Sequence, residues 1–448
     1  MKKTGKIVVL GGGESGTGAA VLAKKKGFEV FLSDKGKIKD KYKRVLKKFE
    51  IDFEELKHSL RIINSADEII LSPGIPRYVP FIKDLIDKGV PVISEIEFAA
   101  RFSSAKLICI SGSNGKTTTT LLVYHILKAA GLDVAVAGNV GDSFAMRLAE
   151  KDHDFFVLEI SSFQLDSMFA FKADFAILLN ITPDHLDRYG NKFENYALSK
   201  FRITRNQTKN DVFIYNADDE TIGKLLETQK VNATIIPFSL EDKAFDRGAF
   251  LKGNKIIINN YKNNFTMTLE QLALQGRHNT YNSMAAGVQA KLLEIRNETV
   301  KQSLSDFQNV SHRLEYVSSV HGITFINDSK ATNVNSTWYA LEHYNKPIVW
   351  IAGGVDKGNE YESIKELVKQ KVKAIICLGL DNSKLHEEFG GCVDLIIDTE
   401  SAMDAVVTAY QLAKKGEIVL LSPACASFDL FESFEDRGNQ FKAAVNAL

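Results

Sequence analysis

The chain has 448 residues, enough for about two to four domains with their own buried cores. At 45% apolar and 25% charged residues it reads as an ordinary globular sequence rather than a disordered or membrane-embedded one. Its 56 basic and 56 acidic side chains leave no net field to attract a polyanion such as nucleic acid, so any phosphate has to be held by local groups.

The start, "MKKTGKIVVLGGG", is basic, but its apolar run of four residues ends at three glycines, too short for a signal peptide. No later stretch reaches membrane-spanning length, so a cytoplasmic protein without a membrane partner is expected. Cys109, Cys377, Cys392 and Cys425 form no C-x-x-C pair and are expected to be buried free thiols in a reducing compartment.

From residue 6 to 97, short apolar runs ("KIVVL", "EVFLSD", "EIILSPG", "PVISEI") alternate with polar helical stretches. That grammar predicts a parallel sheet with helices on its faces. Between the first strand and helix, "VVLGGGESGTGAA" carries Gly11-x-Gly13-x-x-Gly16, and Asp34 ends the second strand about twenty residues on. Taken alone this is the dinucleotide fingerprint, with Asp34 placed for a ribose hydroxyl; any nucleotide diphosphate can use the same turn.

The middle segment, 98 to 309, opens on "LICISGSNGKTTTT". An apolar strand, a small-residue turn ending Gly-Lys-Thr and a helical run predict a phosphate loop, with N–H groups at the positive end of a helix dipole. The Walker pattern asks for glycine where this chain has Ile110, which shortens the loop to G-x-x-G-K-T. The residues expected around ATP are Gly112, Ser113, Asn114, Gly115, Lys116, Thr117, Thr118 and Thr119, with Lys116 on the β- and γ-phosphates and the Thr117 hydroxyl on Mg²⁺. Glu159 in "FFVLEISSFQL" and Asp184 with His185 in "LLNITPDHLDRYG" follow strands and are expected at the same sheet edge, where a carboxylate can serve the metal. "AFLKGNKIIINNYKNNFTMTL" predicts antiparallel strands turning at its Gly-Asn and Asn-Asn pairs, and the helix "NTYNSMAAGVQAKLLEI" follows.

From 310 the alternation resumes: "GITFINDS", "PIVWIAGG", "AIICLGL", "DLIIDT", "EIVLLSPA". Asp328, Ser329, Lys330 and Thr332, then Lys357, then Ser427 and Phe434 follow three of these strands, a binding edge suited to a small charged substrate such as an amino acid. The predicted architecture is three α/β units in series: 1–97 Rossmann-like, 98–309 P-loop ATPase-like, 310–448 Rossmann-like.

Together, "SGSNGKTTT", "LEISSFQLD", "ITPDHLDRYG", "LQGRHNTYNSMAA", "SHRLEYV", "NDSKATN" and "LSPACASFD…FEDRGNQF" resemble the Mur ligases of peptidoglycan synthesis, in particular their D-glutamate-adding branch. The resemblance covers nearly the whole chain. It implies ATP-dependent activation of a carboxylate on UDP-N-acetylmuramoyl-L-alanine to an acyl phosphate, then attack by the amine of D-glutamate. It implies Mg²⁺ held by Thr117, Glu159 and His185, and Lys200 of "NYALSKFRI" carried as a carbamate that makes a cation into an anionic ligand. From the residues alone Lys200 reads as an ordinary exposed helix lysine. Lys116, His185 and Lys200 are the implied catalytic set. Asn279, with Asn282 beside it, is implied on the adenine side, and Arg313 and Asp328 reach ATP on domain closure. Lys330, Thr332, Lys357, Ser427 and Phe434 are implied for D-glutamate. Ser15, Gly16, Asp34, Lys35, Gly74 and Asn139 are implied for the UDP substrate, which replaces the dinucleotide reading. The implied enzyme is a cytoplasmic monomer acting on small molecules.

Overall fold

The computed structural model describes residues 5–260, 264–307 and 311–448. The basic N-terminal residues 1–4, part of the Asn-Asn turn at 261–263 and the boundary expected at 309/310 lie outside the described residues. The chain divides into two compact units, 1–307 and 308–448. The first unit holds two sheets and the second holds one.

The first sheet is built from β1 (Lys6–Leu10), β2 (Glu29–Ser33), β3 (Asp52–Glu54), β4 (Glu68–Leu71) and β5 (Val92–Ser94), all parallel in the order β3-β2-β1-β4-β5. Its central strands are apolar on both faces because helices cover both: Val8, Val9, Leu10, Ile69 and Ile70 have no exposed surface. The strand order reverses between β1 and β4, so a crevice opens beyond their carboxyl ends, where Gly11 and Ser72–Gly74 lie. Gly11 takes φ +99°, and a side chain at Gly16 would run into the Gly11 carbonyl. The outer glycines thus serve the turn and the close packing of helix Glu14–Lys25.

The second sheet comprises β6 (Lys106–Ser111), β7 (Val134–Gly138), β8 (Phe155–Glu159), β9 (Phe175–Leu178), β10 (Val212–Asn216), β11 (Thr234–Ser239), β12 (Arg247–Lys252), β13 (Lys255–Asn260) and β14 (Phe265–Thr268). The order β14-β13-β12-β11-β10-β9-β6-β8-β7 puts β6 between β8 and β9. The loop leaving β6 is therefore flanked by the ends of the strands that carry Glu159 and lead to Asp184 and His185. β12, β13 and β14 are antiparallel, as their alternation predicts, with Gly253-Asn254 at the first turn. Helix Glu95–Ala100 runs through the expected boundary at 97/98 and packs on the helices that follow β1 and β7.

The second unit's sheet, β15 (Glu315–Val320), β16 (Ile323–Asn327), β17 (Ile348–Gly353), β18 (Val372–Leu378), β19 (Ile396–Thr399) and β20 (Ile418–Ala424), runs β15-β16-β20-β17-β18-β19 with only β15 antiparallel. Cys109, Cys377 and Cys425 are buried free thiols; Cys392 is half-exposed, because the loop it occupies lies outside the sheet layers. Among the described residues no helix is long and apolar enough to cross a membrane.

Candidate active site

Strand β6 runs through Ile110, which pairs with both neighbours, so the turn begins only at Gly112. The N–H groups of Ser113 and Asn114 are bonded to the backbone and side-chain oxygens of Asn180, at 2.9 and 2.8 Å. What the loop offers an anion is therefore the first-turn N–H groups of helix Lys116–Ala129, where no intrahelical carbonyl is available. Gly115 caps that helix at φ +83°, and a side chain there would collide with Asn282. Ser113 Oγ ties the loop to the segment after β9, donating to Thr182 O at 2.8 Å and lying 3.0 Å from Tyr196 Oη. Thr118 and Thr119 are buried, and Thr119 donates to Asn282 Oδ1 at 3.2 Å.

The oxygen-rich corner sits at the end of β8. Thr117 Oγ1 donates to Glu159 Oε2 at 2.6 Å, and Asn139 Nδ2 donates to Glu159 Oε1 at 2.9 Å. A hydroxyl and a carboxylate in contact form a hard donor set of the kind Mg²⁺ prefers, so these residues fit that ion. Asn139, expected at the UDP substrate, also orients this carboxylate and lines one cavity with Gly74.

Lys200 corrects its plain sequence reading. Helix Phe193–Phe201 turns it inward until it is 2% exposed, with Nζ 2.7 Å from Gly112 O and 4.7 Å from the centre of the Tyr196 ring. Lys116 Nζ donates to the same carbonyl at 2.8 Å and to Ser113 O at 2.8 Å. Burial, with Lys116 adding repulsion, holds the Lys200 amine well below the usual lysine range.

Lys116, Asn139, Asp184, His185, Tyr196 and Lys200 share a cavity of about 270 Å³. His185 takes φ +53°, an uncommon conformation for a residue with a side chain, and its ring packs edge-on to Phe163 at 5.1 Å. Gly74 and Pro73 line the same cavity and also a larger one of about 860 Å³, lined by Gly11, Gly13, Ser15, Asp34 and Lys35. Asp34 braces that crevice from within: its two oxygens accept from Gly12 N at 2.5 Å and Gly36 N at 2.7 Å. Asn279 lies on helix Arg277–Leu292 and accepts from Asn282 Nδ2 at 3.3 Å, which links it to Gly115 and Thr119.

In the second unit, Asp328 is fully buried past β16, accepts from Ser422 Oγ at 2.9 Å and from Leu314 N at 3.2 Å, and its carboxyl is pushed up to about 7 by burial. The nearby Arg313 guanidinium opposes that shift. Lys330 Nζ stands over the Phe434 ring at 5.2 Å, and the Thr332 amide bonds to Lys330 O at 3.0 Å. A bridge between Val355 and Ala426 brings the loop of Lys357 beside that of Ser427.

Two residues that sequence reading does not single out organise these sites. Tyr196 sits four residues before Lys200 on one helix face, a spacing visible in the sequence. Arg437 is 1% exposed and donates to Ser329 Oγ, Ser329 O, Cys425 O and Gly353 O, joining the ends of β16, β17 and β20. It lies within the quoted "FEDRGNQF", but nothing local marks it as buried.

The chain is similar to known proteins along its whole length. Residues 6–79 match the MurD N-terminal domain, 110–290 the Mur ligase middle domain and 312–425 the Mur ligase, glutamate ligase domain. The UDP-N-acetylmuramoylalanine–D-glutamate ligase of Christiangramia forsetii is 56% identical over 99% of both chains. The protein of the same name from Bacteroides fragilis is 55% identical over 99% of this chain and all of its own. Among solved structures, the UDP-N-acetylmuramate-alanine ligase of Thermotoga maritima shares the fold at a TM-score of 0.62 and 18% identity over 99% of each chain. The MurF ligase of the same organism, solved with ADP, does so at 0.60 and 16%, over 93% of this chain and 95% of its own. With all three domain types in order and over half its residues identical to a full-length relative, the chain belongs to the Mur ligase family.

Proposed function

We propose that the protein joins D-glutamate to UDP-N-acetylmuramoyl-L-alanine at the expense of ATP, through an acyl phosphate, in peptidoglycan precursor synthesis. The observation that carries this reading is the meeting of Lys116, Lys200, the Thr117–Glu159 pair and His185 around one short phosphate loop. The names of the full-length relatives supply the substrates.

In this reading Lys116 leaves its loop carbonyls to follow the γ-phosphate as charge spreads over the transferring group. Thr117 and Glu159 would hold Mg²⁺, which neutralises phosphate charge when bound. Lys200 is suited to carbamylation because burial makes its amine easier to deprotonate: the nitrogen lone pair bonds to CO₂, one proton leaves, and an anion replaces a potential cation. His185, which lines the same cavity, would help hold the Mg²⁺. The crevice of Ser15, Gly16, Asp34, Lys35 and Gly74 takes the UDP moiety, and Lys330, Thr332, Lys357, Ser427 and Phe434 hold the amino acid, lysines and hydroxyls suiting its two carboxylates. Asn279 serves the adenine side, and Arg313 with Asp328 serve ATP from the second unit. The working parts are 1–97, 98–309 and 310–448, and the enzyme acts as a cytoplasmic monomer.

The test is phosphate release from ATP with Mg²⁺ and UDP-N-acetylmuramoyl-L-alanine, adding amino acids one at a time. D-Glutamate alone should give strong turnover, lost in Lys116→Ala. Turnover with another amino acid would move the protein to a sister ligase, and none with any would overturn the reading.

A further inference from the structure

Apart from the residues of the proposed active site, the second unit gathers three metal-ligating side chains of different chemistry. β18 and β19 pair in parallel with Cys377 opposite Asp398, so their side chains are neighbours on one face of the sheet. Helix Ser383–Phe389 covers that face and brings His386 Nε2 to 3.0 and 3.1 Å from the two Asp398 oxygens. Cys377 Sγ, the imidazole nitrogen and a carboxylate oxygen all lie within 4.8 Å of one another.

The surroundings favour a cation. A cavity of about 740 Å³ over the group is lined by Asp381, Asp398, Glu400, Asp404 and His386, with no lysine or arginine in its wall. A thiolate, an imidazole and a carboxylate form a borderline-soft donor set that suits Zn²⁺ over Mg²⁺. Bond lengths of about 2.0–2.3 Å to a tetrahedral ion place donors roughly 3.3–3.8 Å apart, so these three need to close by about 1 Å. Without an ion, the Cys377 thiol hydrogen-bonds to Asp398, which His386 also meets, a relay that keeps the three side chains within reach of one another. The three donor types thus converge beneath a wall of carboxylates, where a divalent ion can replace that relay.

We propose that Cys377, His386 and Asp398 form a binding site for one Zn²⁺-like divalent cation, with the fourth position open to the acidic cavity. On binding, the Sγ–H bond breaks, an Sγ–metal bond forms and the proton goes to solvent; the imidazole carries its remaining proton on Nδ1. The ion ties the short edge strand β19 and helix Ser383–Phe389 to β18. The loop between them is already tied to Asp429, two residues past Ser427, by the Leu380 amide at 3.2 Å. Occupancy of the site therefore steadies one flank of the Ser427 loop.

The experiment is Co²⁺ titration of the chelator-treated full-length protein in excess Mg²⁺, so that hard-oxygen sites are saturated. One equivalent should produce a thiolate-to-cobalt charge-transfer band in the near ultraviolet, which an oxygen-lined site cannot give, and Zn²⁺ should abolish it. Cys377→Val should remove the band and Cys392→Ser should keep it. His386→Gln and Asp398→Asn alter exposed side chains, so folding is spared, and each should weaken Co²⁺ binding at least tenfold. No band in the parent protein, a band that survives Cys377→Val, or unchanged affinity in His386→Gln would overturn the proposal. Should Cys377→Val fail to fold, the His386 variant decides.

Discussion

Glu95 begins helix Glu95–Ala100 in the middle of the first unit, is 2% exposed, and accepts a short hydrogen bond from Ala145 N at the start of helix Phe144–Glu150. Its second oxygen is buried with no partner, and burial, with Glu14 adding repulsion, raises its carboxyl from 4.5 to about 8. The unfolded chain ionises near 4.5 while the folded one holds the proton to about 8, so the native state binds more protons in that window. Stability must therefore fall as pH rises, by about 1.36 kcal/mol per pH unit, to a ceiling of roughly 5 kcal/mol above pH 8. Glu95→Gln cannot ionise. It keeps an acceptor for Ala145 N but leaves a buried amide donor unpaired, a pH-independent cost of about 1–3 kcal/mol. Urea unfolding at about pH 5 and pH 8.5, followed by far-UV circular dichroism, should show the variant gaining several kcal/mol on the parent between the two conditions. Both tryptophans, Trp338 and Trp350, lie in the second unit, so their fluorescence is an internal control. An offset between variant and parent that is equal at both pH values would refute the reasoning.

Gly115→Ala forces a side chain into a left-handed position at a cost of about 1–2 kcal/mol and against Asn282, so the KM for ATP should rise at least tenfold in steady-state assays. Lys200→Met should abolish turnover, because it removes the nitrogen that would carry the carbamate. With ¹³C-bicarbonate, the parent should show a carbamate carbon resonance that this variant lacks. Arg437→Met orphans four buried acceptors; tryptophan fluorescence should report the second unit losing about 3 kcal/mol, and the KM for the amino acid should rise with it.

Runs that are apolar on both faces, such as "KIVVL" and "PIVWIAGG", announce their strands because a doubly covered parallel sheet demands such residues. Three-residue β3, "DFE", carries too little pattern to be seen, "TIIPFS" is masked by its proline, and "VAVAG" by small residues with little strand preference. "VFIYN" at Val212–Asn216 carries the same apolar, β-branched and aromatic pattern. The phosphate loop is legible because backbone geometry and phosphate charge fix residue types at fixed spacing. Lys200 and Arg437 are not: whether a charged side chain points into the protein depends on which helix face the rest of the chain covers, and no local spacing records that. Asn139 shows the same limit, since its partner Glu159 is twenty residues away on the neighbouring strand.

A single guanidinium that holds the ends of three strands makes the loops they lead into heritable as a set. A replacement that shifts Ser329 drags on Gly353 and Cys425 through Arg437, so an improvement at one loop is paid for at the other two. Under the proposed function, changes of amino-acid preference are then expected to arrive as coordinated substitutions, or at loop positions beyond the reach of Arg437. Three of the four acceptors it binds are backbone carbonyls, so the constraint falls mostly on the path of the chain.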